Sequence, residues 1–153
     1  RLLIVGGGAH ENDLKQLAKQ LALNEATEFV GSVPHDAVPG ELRKLDVYVA
    51  LSRTHSESFG VAVIEASACG LPVVVSNVGG LPEVVEQGVT GFIVPSEDPA
   101  AAADALEQLL ASKELRERMG SAGRDRVERL YAWEACVDRQ IAVLRSAIDR
   151  KRP

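Results

Sequence analysis

The sequence predicts an α/β fold: a parallel sheet with helices on both faces, followed by a helical C-terminal region. Three observations carry this. Short apolar runs, each ended by glycine, proline or a polar residue, recur between Leu2 and Val94. Segments with apolar residues at helical spacing separate them. Beyond Pro95 the pattern turns entirely helical. Strands alternating with helices need crossover connections, and crossovers generate Rossmann-like parallel sheets covered on both faces.

Taken in order, residues 2–5 form a buried parallel strand by length and punctuation, ended by Gly6, Gly7 and Gly8. Leu14, Leu17, Ala18 and Leu21 then recur at helical spacing. Residues 27–30 are a second strand, stopped by Gly31, and residues 32–39 a loop with two prolines. A short helix reaches about residue 44, and residues 46–51 are a third strand. Residues 60–69 read as a helix, with Val61, Ile64 and Ala68 on one face. A fourth strand follows over 72–76. A short helix over 81–87 carries Pro82 in its first turn, where a missing N–H costs nothing. Residues 91–94 are the fifth strand. Three helices close the chain, over 99–111, 115–130 and 133–150. The alanine run at 100–103 is a strong helix former and not a linker.

The chain of 153 residues suffices for one compact domain with a real core. Its 46% hydrophobic and 25% charged residues are ordinary for a globular protein. The net charge of -5 argues against bulk electrostatic binding of nucleic acid or an anionic membrane. A local basic pocket for a diphosphate stays compatible with it. The two cysteines, Cys69 and Cys136, make no disulfide framework, so the expected compartment is reducing and cytoplasmic. Cys69, in an apolar run, reads as a small core residue. Glu65, Gly70 and Pro72 break the longest apolar stretches well short of a membrane span. The chain opens at Arg1 with Leu2 already inside a strand, which reads as an excised domain.

Chemistry concentrates after the third strand. Glu57 and Glu65 stand eight positions apart. Glu57 falls in the loop after a strand, and Glu65 about one and a half turns into the next helix. Both can therefore face one crevice. Between them, the N–H groups of Ser58, Phe59, Gly60 and Val61 begin the helix, a ready anion site. This arrangement suits a nucleoside diphosphate sugar. One carboxylate accepts hydrogen bonds from ribose hydroxyls, the amides hold phosphate oxygens, and the other carboxylate holds sugar hydroxyls. The plainer reading is a helix-start charge at Glu57 and a solvated Glu65. Glu65 lies between Ile64 and Ala66 in a helix expected to be largely buried, and a buried carboxylate needs partners.

The glycine turn at Gly6, Gly7 and Gly8 is a weaker signal. It could admit a phosphate at the carboxyl end of a strand, or simply turn the chain. The dinucleotide fingerprint fails, because Glu11 stands where its third glycine belongs. No Asp/His/Glu cluster with metal-ligand spacing stands out. His10, His35 and His55 read as solvated loop residues.

The series Glu57-Ser58-Phe59-Gly60 through Glu65-Ala66, Gly70-Leu71-Pro72, Gly79-Gly80-Leu81-Pro82-Glu83 and Gly88-Val89-Thr90-Gly91 resembles the C-terminal half of glycosyltransferase family 4. These motifs occur in the family's order and spacing, and the resemblance spans almost the whole chain. It implies one half of a GT-B fold: the donor-binding domain, over 1–153, of a retaining glycosyltransferase. The N-terminal acceptor domain and this domain's own first strand, which carries diphosphate-neutralising Arg and Lys in the family, would lie outside the sequence. The resemblance gives Glu57 to the transferred sugar near the reacting centre and Glu65 to the ribose. It gives the amides of Phe59, Gly60 and Val61 to the sugar and diphosphate. Residues 29–33 look like the family's base-binding loop, where Val33 either contacts the base through its backbone or simply leaves the strand. Ser52 closes a strand in the family's manner, and Glu83 is expected to cap its helix.

The resemblance further implies a metal-independent enzyme without a cofactor, whose partner is the nucleotide-sugar donor. The final helix resembles one that crosses onto the acceptor domain, so Leu130, Trp133, Ile141 and Leu144 are expected to be exposed, which would favour self-association. Peripheral membrane attachment of the parent enzyme stays open, as do donor base, sugar and acceptor. Two other readings compete: a non-catalytic nucleotide-binding module, and a GT-B-like sugar-nucleotide epimerase. A nicotinamide-binding domain is disfavoured by the failed fingerprint.

Overall fold

The computed structural model describes residues 1–53 and 59–150. Two compact units divide the chain, Arg1–Leu45 and Asp46–Pro153. The α/β class and the parallel pairing match the sequence expectation, with the described strands paired as two sheets, one in each unit.

In the first unit, β1 (Leu2–Val5) pairs in parallel with β2 (Thr27–Gly31). Helix α1 (Glu11–Gln20) connects them. Its only buried residue is Ala18, and Glu11 and Asp13 in its first turn complement the helix dipole. The β1–β2 register shifts between Ile4 and Val5. Just beyond, Gly6 N–H donates to the Gly31 carbonyl at 2.8 Å. Pro39 sits in the opening turn of α2 (Val38–Leu42), which ends two residues before the expected boundary.

In the second unit, β4 (Val73–Ser76) lies between β3 (Tyr48–Ala50) and β5 (Gly91–Val94), all parallel. All four β4 residues are buried, which explains their continuous apolar run in place of alternation. Its core joins Val74 and Val94 to Ala102, Ala105 and Leu109 of α5 (Pro99–Ala111) and Met119 of α6 (Lys113–Leu130). Asp98 caps α5 by accepting from Ala101 N–H at 3.0 Å. Ser112 caps α6 by accepting from Leu115 N–H at 3.1 Å, so α6 starts two residues before its expected start. Between the two, Arg116 donates to the last carbonyls of α5, Leu109 at 2.8 Å and Leu110 at 3.2 Å.

Helix α3 (Val61–Ala68) corrects one expectation. Its buried residues are Val63, Ala66 and Ser67, while Val61 and Ala68 are exposed. The helix is apolar nearly all round, so periodicity alone does not choose its inner face. The neighbouring helix chooses it. A β-carbon at Gly120 would stand 2.0 Å from the Gly70 carbonyl oxygen, so only glycine lets α6 approach the end of α3 this closely. Cys69, at that end, is partly exposed and not a core residue. The last helix, α7 (Trp133–Asp149), has no buried residue. Trp133 is 78% exposed, Leu144 63% and Ile141 39%, as expected for these three, whereas Leu130 is partly buried. Among the described residues no helix is long and apolar enough to cross a membrane.

Candidate functional site

The second unit gathers its candidate residues where α3 begins. Phe59 and Gly60 lead out of the segment after β3, Val61 opens the helix, and Glu65 is its fifth residue. Glu65 is half-buried, not deeply buried as the apolar flanks suggested. Glu57 and Ser58, two of the expected site residues, lie outside the described residues, as does His55.

Gly60 holds the helix start in a conformation the sequence did not announce. It is the N-cap residue, with φ +74° and ψ 44°, in the left-handed region. Its carbonyl accepts from Val63 N–H at 3.0 Å and Ile64 N–H at 3.2 Å, which sets the first turn. The residue is buried, and a β-carbon on it would stand 2.9 Å from Leu81 Cδ2 and 3.5 Å from Val84 Cγ2. Both belong to α4 (Leu81–Val84), in the Gly-Gly-Leu-Pro-Glu turn. Two motifs that looked separate in the sequence therefore pack together.

Phe59 is braced from further along the chain. Its ring meets Tyr131 edge to face, with centroids 5.9 Å apart and planes at 81°. Tyr131 is the residue that ends α6. Arg126, also on α6, donates to the Glu83 carbonyl at 3.3 Å and to Glu86 Oε2 at 3.5 Å. It thus meets one carbonyl in the last turn of α4. Glu83 itself is exposed in the first turn of α4, a position where its charge suits the helix dipole. Sequence reasoning missed Tyr131, Arg126 and Leu81, because no local pattern marks a tertiary contact.

The carboxyl edge of the three-stranded sheet is tied together by two hydrogen bonds. Ser76 Oγ donates to the Ser52 carbonyl at 2.7 Å, and Asn77 N–H donates to the Val94 carbonyl at 2.8 Å. Ser52, expected to close β3, lies two residues past its end and serves through its carbonyl.

In the first unit, Gly8 accepts from Glu11 N–H at 3.2 Å as the chain turns into α1. Val33 is partly buried, just beyond β2. A β-carbon at Gly7 would stand 3.0 Å from Ser32 Oγ. The glycine turn and the Gly31-Ser32-Val33 segment are therefore neighbours within this unit. Among the described residues no group of His, Cys, Asp and Glu could hold a metal ion.

Residues 1–126 match the family model described as glycosyl transferases group 1. Over 138 residues the chain is 35% identical to a GDP-mannose-dependent alpha-(1-6)-phosphatidylinositol monomannoside mannosyltransferase of Mycobacterium tuberculosis, covering 87% of this chain and 36% of that protein. The sucrose-phosphate synthase of Thermosynechococcus elongatus superposes with a TM-score of 0.86 at 34% identity, over 98% of this chain and 39% of that one. Anabaena Alr3699/HepE, solved in complex with UDP-glucose, superposes with a TM-score of 0.81 at 25% identity, over 95% of this chain and 40% of that one. The chain thus spans between a third and two fifths of the length of these proteins.

Proposed function

The chain belongs to the glycosyl transferases group 1 family, and on that premise we propose that it is the donor-binding part of a retaining glycosyltransferase of family 4. It binds a nucleoside diphosphate sugar and serves transfer of the glycosyl group to an acceptor. The observation that carries this reading is the start of α3, where Gly60, in a left-handed conformation, turns the chain into the helix and Glu65 follows just over one turn later. Helix N-termini favour phosphate through free N–H groups and the helix dipole. A half-buried carboxylate within the same helix suits ribose hydroxyls.

The reaction passes through an oxocarbenium-like transition state, with negative charge growing on the departing diphosphate. The protein's contribution is electrostatic: fixed N–H dipoles aimed where that charge develops. Phe59, Gly60 and Val61 supply these amides, and the Tyr131 ring and α4 hold them still. Glu57 orients the transferred sugar. Glu65 holds the ribose. The chemistry needs no metal and no cofactor.

A thermal-shift panel tests this reading. A ligand that binds only the folded state at one hundred times its Kd adds about 2.7 kcal/mol of stability. At least one of UDP, GDP or ADP is expected to raise the melting temperature by several degrees, and NAD is not. A shift with NAD and none with any nucleoside diphosphate overturns it.

A further inference from the structure

We propose that Arg53 contacts the donor's diphosphate and that Glu97 competes for it, so that these two residues set donor affinity in opposite directions. The inference rests on the reading of the chain as a nucleotide-sugar-binding domain. Arg53 lies three residues past the end of β3, and Glu97 three residues past the end of β5. Their ion pair therefore spans the carboxyl edge of the sheet, across the end of β4. Ligands of open parallel sheets collect at that edge.

The pair is well formed and easily exchanged. Arg53 Nε and Nη2 reach Glu97 Oε1 at 2.8 and 2.7 Å. The two side chains are 77% and 60% exposed, and so exposed a pair contributes little stability. A guanidinium forks onto phosphate oxygens as readily as onto a carboxylate, and a diphosphate carries more charge. Glu97 has φ +58°, a conformation uncommon for a residue with a β-carbon. The adjoining Asp98 is committed to capping α5. Backbone in such a region persists where its surroundings impose it, and here it brings the Glu97 carboxylate to Arg53. On donor binding, the Arg53 guanidinium exchanges Glu97 for phosphate oxygens. No bond to carbon or phosphorus changes in this step.

The test is a titration of the whole chain with UDP and UMP, or the GDP and GMP pair if guanine is the preferred base. The proteins are wild type, Arg53→Gln, Arg53→Lys, Glu97→Gln and the double variant. Arg53→Gln is expected to weaken diphosphate binding roughly tenfold and monophosphate binding less, as for loss of a charge-assisted hydrogen bond. Arg53→Lys recovers part of the loss. Glu97→Gln tightens diphosphate binding several-fold, and the gain vanishes in the double variant. All melting curves stay close to wild type. Wild-type binding that Arg53→Gln leaves unchanged overturns the inference alone, and so does Glu97→Gln weakening binding. A wild-type chain that binds no nucleoside diphosphate removes the donor-binding reading and this inference with it.

Discussion

Gly60 and Leu81 compete for one space: a β-carbon on Gly60 would lie 2.9 Å from Leu81 Cδ2. The glycine also holds φ +74°. Gly60→Ala therefore meets two penalties, about 1–2 kcal/mol for the left-handed backbone and about 1–3 kcal/mol for overpacking. Chemical denaturation is expected to show the sum, and a nucleoside diphosphate that binds wild type is expected to bind the variant more weakly. A variant with wild-type stability and affinity contradicts the packing described between the helix start and α4.

Tyr131 supports Phe59 without belonging to the helix that Phe59 precedes. Removing an edge-to-face ring costs about 0.5–1.5 kcal/mol beyond the lost area. Tyr131→Leu keeps much of the apolar bulk and removes the aromatic contact. It is expected to lower stability modestly and to weaken nucleotide binding severalfold. Unchanged binding would show that Phe59 needs no brace.

Leu109 is fully buried between α5 and the sheet, in one cluster with Val74 and Met119. Leu109→Ala is expected to destabilise the fold by roughly 2–5 kcal/mol. Equilibrium denaturation in urea reads this directly. A loss well below that range would mean that the site collapses around the smaller residue.

Ser112 caps α6, the helix that presents Arg126 and ends at Tyr131. Ser112→Ala removes a partner of the Leu115 N–H and is expected to cost about 0.5–2 kcal/mol. Ser112→Asp, which keeps an acceptor there, is expected to retain most of the stability. Equal losses in both variants would contradict the capping role.

The regular elements were legible in the sequence for physical reasons. β4 is buried on both faces, so its run of valines is continuous and unmistakable. Pro82 and Pro99 sit in the opening turns of their helices, as proline prefers. The class and the parallel pairing followed from such local signals, and the motif series from Glu57 to Gly91 pointed to the group 1 glycosyltransferases. The inner face of α3 did not, because an apolar helix has no sidedness until a neighbour is packed on it. The left-handed turn at Gly60, the ring contact of Tyr131 and the Arg53–Glu97 pair are tertiary facts with no periodicity to read. Asp98 and Ser112 were legible in principle, each a favoured N-cap residue standing directly before a helix. Of the expected carboxylate pair, Glu65 is the fifth residue of α3 and half-buried, and Glu57 lies outside the described residues.

A calorimetric titration of the chain with UDP, GDP and ADP, repeated on Glu65→Ala, reads donor binding at the start of α3 without any other step. A carboxylate accepting ribose hydrogen bonds is worth about 1.5–3 kcal/mol, or roughly tenfold to a hundredfold in affinity. One of the three is expected to bind wild type, and the variant to lose affinity by that factor while melting as wild type does. Equal binding to both proteins would contradict the role of Glu65. A folded wild-type chain that binds none of the three would contradict the donor-binding reading itself.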